Sequence, residues 1–419
     1  MNTIHPIFPD QLRGTVALPT SKSISARALV MSTLAGEGKL TNLSDCDDTR
    51  VLHQALTFRL PTIDIQAAGT AMRFSTAYFA TCMGETHVIT GSERMQQRPI
   101  KVLVDALRQL GADITYLGEE GFPPLRVCGR KLDGGQIDLP AHVSSQYISA
   151  LLMVGPVLKE GLHLHLVGEV VSRPYIDMTV GLMKVFGAEV DWLSEQDLRV
   201  KPKPYVSGLH FNVEPDWSGA SYWYEMVALS KDPEARVVLP SLNENSWQGD
   251  SVVEKLFRSL GVRTTFENGA AILTKSSDSS RKEVLEMDFT TCPDLAQTLV
   301  VTCAMMGQPF RFTGLQSLRI KETDRIAALQ KELEKLGIVV NSKSDSAAGH
   351  ISEELFMLEP QQVDPGQTTV IDTYDDHRMA MAFAPVAMLC PSIQIAHPEV
   401  VGKSYPSFWK DIENLEVDL

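Results

Sequence analysis

The chain has 419 residues, 44% of them hydrophobic and 21% charged, with a formal net charge of −14 at pH 7. This length is too great for one ordinary core and divides naturally into two domains, with the composition of a globular protein. The negative balance disfavours nucleic acid or an anionic membrane as partner, so any anionic ligand must be drawn by local cations.

Taken in chain order, six apolar helices rich in small residues are predicted to begin near Lys22, Gly69, Ser145, Ala220, Asp294 and Asp376. Each is followed by a second helix, near Asp48, Arg98, Ser172, Gly249, Lys321 and Ser404, giving offsets of 26, 29, 27, 29, 27 and 28 residues. A repeat this regular fixes the fold as six units, three per domain. Four second helices stop at Gly111, Gly187, Gly261 and Gly337, where glycine enters the left-handed cap without a Cβ penalty. Alternating segments such as Ala112 to Leu117 and Ala188 to Leu193 follow and are predicted strands. The first step between units is 47 residues against 74 to 82 for the others, so the first repeat lacks about a hairpin's worth of chain. Gly36 to Lys39 follows a helix and is expected to be a turn.

The longest apolar stretch, around Ile148 to Leu158, is broken by Gly155 and Pro156 and cannot span a bilayer. Met1 to Pro19 has none of the regions of a signal peptide, so a cytoplasmic protein is expected. Cys46, Cys82, Cys128, Cys292, Cys303 and Cys390 are scattered in mostly apolar surroundings, as reduced core residues would be. There is no HExxH, and His163 and His165 share one face of a strand, a structural pair; a metal is not expected.

Cations open helix after helix, although a helix N-terminus disfavours each by roughly 0.3 to 1 kcal/mol. Lys22, Arg27, Arg73, Arg98, Arg173, Lys321, Arg325 and Arg378 all violate the rule in the same sense. A consistent violation points to a functional site, here an anionic ligand held by backbone N–H groups and cations together. Gly69-Thr70 and Ser144-Ser145-Gln146 supply further donors at helix starts, although a lone serine or threonine there is commonly only a cap. No Walker A sequence or GxGxxG occurs. Asp294 at a helix start and Glu322 between Lys321 and Arg325 are carboxylates in an anion site, a pairing that suits proton transfer. The fourth helix pair, from Ala220 and Gly249, contributes almost no chemistry in this reading.

From Pro19 to Pro406 these motifs resemble the EPSP synthase (3-phosphoshikimate 1-carboxyvinyltransferase) family of enolpyruvyl transferases. The marks are Ser21-Lys22-Ser23 with Arg27, Gly69-Thr70-Ala71-Met72-Arg73, Arg98-Pro99, Ser144-Ser145-Gln146, Ser172-Arg173-Pro174-Tyr175, Lys321-Glu322-Thr323-Asp324-Arg325, Asp376-His377-Arg378-Met379-Ala380 and Lys403. The resemblance implies a two-domain inside-out α/β barrel, with residues 1–20 and 214–419 in one domain and 21–213 inserted, and ligands bound in the cleft between them. It implies transfer of enolpyruvyl from phosphoenolpyruvate to the 5-hydroxyl of shikimate 3-phosphate with release of phosphate, by a monomer without metal or organic cofactor. By matching position, Ser23, Arg27, Ser144, Ser145, Ser172, Tyr175 and Lys321 would hold shikimate 3-phosphate. Gly69, Arg98, Arg325, Arg378 and Lys403 would hold phosphoenolpyruvate, with Lys22 and Gln146 near both and His377 either at the site or a structural imidazole. Asp294 would take the hydroxyl proton, Glu322 would exchange protons with carbon 3, and Lys22 would orient or protonate. Thr20, Ala26, Ala67, Phe74 and Ser317 depart from the family's usual residues. Two rivals are weighed: UDP-N-acetylglucosamine enolpyruvyl transferase, which differs in its lysine-asparagine start and loop cysteine, and a catalytically silent anion-binding relative.

Overall fold

In the computed structural model, which describes residues 2–416 apart from 37, 142–143, 169, 171, 277–282, 346–351, 362 and 364–367, the chain forms two units. One is Thr20–Glu214; the other joins Met1–Pro19 to Pro215–Leu419. Each unit is built from three repeats of strand, helix, strand and helix, followed by a hairpin in the second to fifth repeats among the described residues, and each repeat owns one sheet. The turn expected at Gly36 to Lys39 includes residue 37, outside the described residues.

In the unit Thr20–Glu214 the helices are α1 (Lys22–Ala35), α2 (Asp47–Phe58), α3 (Gly69–Ala80), the single turn α4 (Glu93–Gln96), α5 (Lys101–Gln109), α6 (Ser145–Val154) and α7 (Arg173–Val185). α1, α3 and α6 pack on one another, which is why their sequences are apolar nearly all round: α3 and α6 bury almost every side chain. The second repeat shows the complete sheet. Thr62–Asp64 runs parallel to Thr86–Thr90, which is antiparallel to Leu125–Cys128, and Asp113–Tyr116 closes the hairpin. The third repeat uses the same order from Gly135–Pro140 to Asp197–Val200. The first has only Gly38–Thr41 paired in parallel with Leu209–Asn212. Its hairpin is absent among the described residues, and its missing first strand comes from the far end of the unit.

In the other unit the helices are α8 (Trp217–Leu229), α9 (Val253–Arg258), α10 (Ala296–Met305), α11 (Arg325–Glu334), α12 (His377–Phe383) and α13 (Phe408–Glu413). α8, α10 and α12 form its buried helical layer. The fourth repeat begins with Arg13–Thr15, parallel to Arg236–Pro240, so the whole unit Thr20–Glu214 enters the chain between that first strand and α8. The sixth repeat pairs Thr369–Ile371 with Ile393–Ala396 and is completed by Thr3–Ile4. Among the described residues no helix is long and apolar enough to cross a membrane.

Gly111, Gly187, Gly261 and Gly337 have φ of 101°, 86°, 82° and 78°, so all four helix stops use the left-handed conformation. Five helix starts differ from expectation, among them α9, which begins at Val253 and not Gly249, and α13, which begins at Phe408 and not Ser404. Pro99 lies outside α5, which begins at Lys101. Asp294 sits in the 3-10 turn Pro293–Leu295, and α10 begins after it. Lys321 and Glu322 precede α11, because Asp324 captures the cap by accepting from the Ala327 amide at 3.1 Å. His163 and His165 both meet Asp197, at 3.3 and 2.9 Å, as a structural pair on one strand face. Cys46, Cys292, Cys303 and Cys390 are buried; Cys82 and Cys128 are partly exposed, and all six are free thiols.

Candidate active site

The helix starts of the unit Pro215–Leu419 converge on a knot of charge. Arg325, the first residue of α11, is 1% exposed and its guanidinium meets three carboxylates. Nε lies 2.7 Å from Asp376 Oδ2, Nη1 lies 3.3 Å from Asp294 Oδ1, and Nη2 lies 3.0 Å from Glu322 Oε2. Asp294 is also held by Arg378 Nη2 at 2.8 Å and Lys321 Nζ at 3.7 Å, and Glu322 by Lys403 Nζ at 2.9 Å. Among the described residues four cations thus surround Asp294, Glu322 and Asp376, and six of the residues named from the sequence are linked through Arg325 or its partners.

The local fold explains how each group is aimed. Asp376 is the N-cap of α12 and accepts from the Arg378 amide at 2.9 Å, which turns the first residues of that helix toward Arg325. Tyr222 of α8 lies 3.4 Å from Arg378 Nη1, and burial pushes its phenol up to about 12 with Arg378 opposing. His377 is buried, with Nδ1 3.6 Å from Asp376 Oδ1. Burial works against the charge on Arg325, but Asp376, Glu322 and Asp294 more than offset it and hold the guanidinium above its usual range. Burial lowers the Lys321 ammonium, with Asp294 opposing.

The unit Thr20–Glu214 carries a second constellation at its own helix starts. Arg98 lies directly on Gly69, the first residue of α3: a Cβ there would fall 2.8 Å from Nη1. Glycine therefore lets a guanidinium approach a helix N-terminus, the geometry of an anion cradle. Gln146 Nε2 donates to Thr70 Oγ1 at 3.2 Å, joining the starts of α6 and α3. Ser144 caps α6, its Oγ accepting from the Gln146 amide at 3.3 Å, and Ser145 is the first helical residue. Lys22 opens α1 and pairs with Asp48 at 3.4 Å.

Arg27 is placed differently from Arg98. It is buried, with Nε donating to Thr179 Oγ1 at 2.7 Å, Nη1 to the Ser23 carbonyl at 2.9 Å, and Nη2 to Ser149 Oγ at 3.0 Å and the Tyr175 carbonyl at 3.4 Å. The guanidinium lies 5.5 Å from the centroid of Phe74, one of the departures from the family pattern. Burial lowers its pKa to about 10, with Tyr175 opposing, so it stays charged at neutral pH. Arg27 thus ties the starts of α1 and α7 together. Ser172 stands before α7 with φ 55°, a left-handed serine at a helix start, and Tyr175 lies in that helix's first turn.

Two further cations of the sequence pattern have partners of their own. Arg73 is buried and donates to the carbonyls of Gly69 at 3.1 Å and Pro99 at 2.9 Å, so it braces the Arg98 loop. Arg173 lies 3.6 Å from the Trp192 ring centroid and 3.4 Å from Asp177. Sequence reasoning passed over Asp48, Asp376, Ser149 and Thr179 as partners of these cations. Asp376 carried a signal, being a capping aspartate immediately before His377-Arg378; Ser149 and Thr179 carried none, being ordinary polar positions on two apolar helices.

Residues 8–60 and 53–412 match the family EPSP synthase (3-phosphoshikimate 1-carboxyvinyltransferase). A 3-phosphoshikimate 1-carboxyvinyltransferase of Bacteroides fragilis is 54% identical over 405 residues, covering 96% of this chain and 95% of that one. One from Haemophilus influenzae is 34% identical over 445 aligned positions, covering 99% and 98%. The solved structure of EPSP synthase from Acinetobacter baumannii superposes with a TM-score of 0.74 at 23% identity, covering 99% of this chain and 97% of that one, and so shares the two-domain α/β fold. With a family match along almost its whole length and a relative of this identity, the chain belongs to the EPSP synthase family.

Proposed function

We propose that the protein transfers the enolpyruvyl group of phosphoenolpyruvate to the 5-hydroxyl of shikimate 3-phosphate, releasing phosphate. The observation that carries this reading is the pair of carboxylates, Asp294 and Glu322, held 3.3 and 3.0 Å from one buried guanidinium. The surplus positive charge around them suits two polyanionic substrates, and both carboxyls can exchange protons with groups bound beside them. In the addition step Asp294 takes the proton of the hydroxyl as its oxygen bonds to carbon 2, and Glu322 supplies a proton to carbon 3. In the elimination step carbon 3 returns a proton to Glu322 as the bond to phosphate breaks. Lys22 is assigned to orient or protonate.

Shikimate 3-phosphate is assigned to Ser23, Arg27, Ser144, Ser145, Ser172, Tyr175 and Lys321, and phosphoenolpyruvate to Gly69, Arg98, Arg325, Arg378 and Lys403, with Lys22 and Gln146 serving both and His377 beside them. The Arg98 guanidinium over Gly69 supports the phosphoenolpyruvate assignment, since a helix N-terminus and a fork of donors meet there. The acting species is taken as a cytoplasmic monomer, which light scattering on the purified protein checks. Phosphate release from phosphoenolpyruvate is measured with shikimate 3-phosphate and, separately, with UDP-N-acetylglucosamine. Release with the first alone is expected. Release only with the nucleotide sugar, or tight binding of shikimate 3-phosphate without release, would overturn the assignment.

A further inference from the structure

The fourth repeat, from which the sequence promised little chemistry, places a carboxyl in the core. Asp250 lies in the 3-10 turn Gly249–Val252 and is 3% exposed. Ser218, in the first turn of α8, donates its hydroxyl to Oδ2 in a short hydrogen bond. Oδ1 has no hydrogen-bond partner among the described residues. The charged and titratable groups whose electrostatic influence reaches it most include Asp294, Arg378, Asp216 and the thiol of Cys292. Arg378 is the one cation among them, and it is already held by Asp294 at 2.8 Å and Tyr222 at 3.4 Å.

Asp294 and Asp250 therefore differ in one decisive respect. Asp294 has Arg325, Arg378 and Lys321 as ion-pair partners, whereas Asp250 is a buried carboxyl whose one hydrogen-bond donor among the described residues is a neutral hydroxyl. Two carboxyls in one low-dielectric neighbourhood do not both ionise easily, and the one without an ion-pair partner among the described residues keeps the proton. A hydrogen-bonded frame joins the helices beside them. Ser221 Oγ meets the Ser218 carbonyl at 2.7 Å and Thr298 Oγ1 at 3.1 Å, tying α8, which anchors Asp250, to α10, which follows the Asp294 turn.

We propose that Asp250 is a positioning residue for Asp294, a buried second carboxyl that holds the single proton of the pair and thereby leaves Asp294 ionised to act on substrate. This rests on the role given to Asp294 above. Burial and then the Asp294 charge push the Asp250 carboxyl up to about 7, with the Ser218 hydroxyl and Arg378 opposing. Above that pH Asp250 ionises as well, and repulsion changes the readiness of Asp294 to take a proton, so turnover must change across the same range.

The test is a carboxyl titration by NMR on the full chain labelled with 13C at aspartate, comparing the wild type with D250N, D294N and S218A. The resonance lost in D250N is expected to titrate near pH 7 in the wild type. It should move to lower pH in D294N, which removes the neighbouring charge, and to higher pH in S218A, which removes the donor. Titration in the ordinary carboxylate range, or no movement in D294N, would overturn the proposal; if D250N does not fold, the Asp250 resonance is assigned as the aspartate signal displaced in S218A, which removes its hydroxyl donor. In turnover, kcat of the wild type should inflect near pH 7 and that inflection should vanish in D250N while KM for both substrates stays within about twofold; an inflection that survives in D250N would also overturn it. A wild type without turnover on these substrates would instead defeat the functional reading, leaving the titration to decide proton sharing.

Discussion

Arg325 and Asp376 form a buried, two-pronged ion pair, with Nε 2.7 Å from Oδ2 and Nη2 3.2 Å from Oδ1, at 1% and 0% exposure. The planar fork of arginine matches both carboxylate oxygens, a geometry lysine cannot supply. Asp376 simultaneously caps α12, so one carboxylate fixes the guanidinium and the helix that presents Arg378. The other edges of the guanidinium are thereby aimed at Asp294 and Glu322.

Asp376→Asn should damage both stability and chemistry. Breaking a buried ion pair typically costs about 3–5 kcal/mol, and because Arg325 keeps Asp294 and Glu322 the loss should lie at or below the low end of that range. Thermal melting should show a drop of several degrees, and kcat should fall at least tenfold because Arg325 no longer holds its two other carboxylates in place. A variant that melts and turns over like the parent would show that Asp294 and Glu322 are oriented without this pair.

Glu322→Gln tests the proton exchange at carbon 3. Glutamine keeps the size of the side chain and one acceptor for Lys403 or Arg325, now at 2.9 and 3.0 Å, but cannot take a proton at neutral pH. The expected outcome is a loss of kcat of about 100-fold or more with substrate affinity, measured by calorimetry, retained within a fewfold. Turnover at the parental rate would remove Glu322 from the mechanism.

The sequence disclosed the repeat and its helix stops because both depend on short-range patterns: apolar periodicity and glycines that tolerate φ near 80–100°. Strand exchange was invisible from local pattern. Leu209–Asn212 completes a sheet with Gly38–Thr41 and Thr3–Ile4 completes one with Ile393–Ala396, yet neither partner's composition names the other. Cations at helix starts marked the site, because they contradict the helix dipole. The same pattern also swept in Arg73, whose guanidinium turns to the Gly69 and Pro99 carbonyls, since a dipole argument places a charge on a helix but says nothing of which way it folds back. Asp250 left no trace in the sequence reading, because an aspartate in a helix's first turn is the most ordinary residue to find there.

Gly69→Ala separates the anion cradle from the fold. The added methyl would lie 2.8 Å from Arg98 Nη1 and 3.0 Å from Nη2, the mobile end of a long side chain, so the guanidinium must move while the backbone need not. The melting temperature should stay within a few degrees. KM for phosphoenolpyruvate should rise about tenfold or more, with KM for shikimate 3-phosphate changing less. Equal changes in both would mean that Arg98 does not act on phosphoenolpyruvate alone, and no change would remove this cradle from substrate binding.

Glu225 makes a prediction about stability alone. It lies within α8 at 0% exposure, neither oxygen has a hydrogen-bond partner among the described residues, and burial raises its carboxyl well above the ordinary range, with Thr302 opposing. The folded protein therefore keeps a proton there that the unfolded chain releases in the ordinary carboxylate range. The native state binds more protons throughout that window, so stability is greatest below the unfolded pKa and falls as pH rises toward the folded one, by up to about 1.4 kcal/mol per pH unit from this group. Glu225→Gln has nearly the shape of the protonated acid and no proton to lose. Thermal melts at pH 5, 7 and 9 should show the variant gaining on the parent at each step upward, so that it is the more stable protein at pH 9. Parallel curves for the two proteins would mean that Glu225 is ionised in the fold or titrates alike in both states.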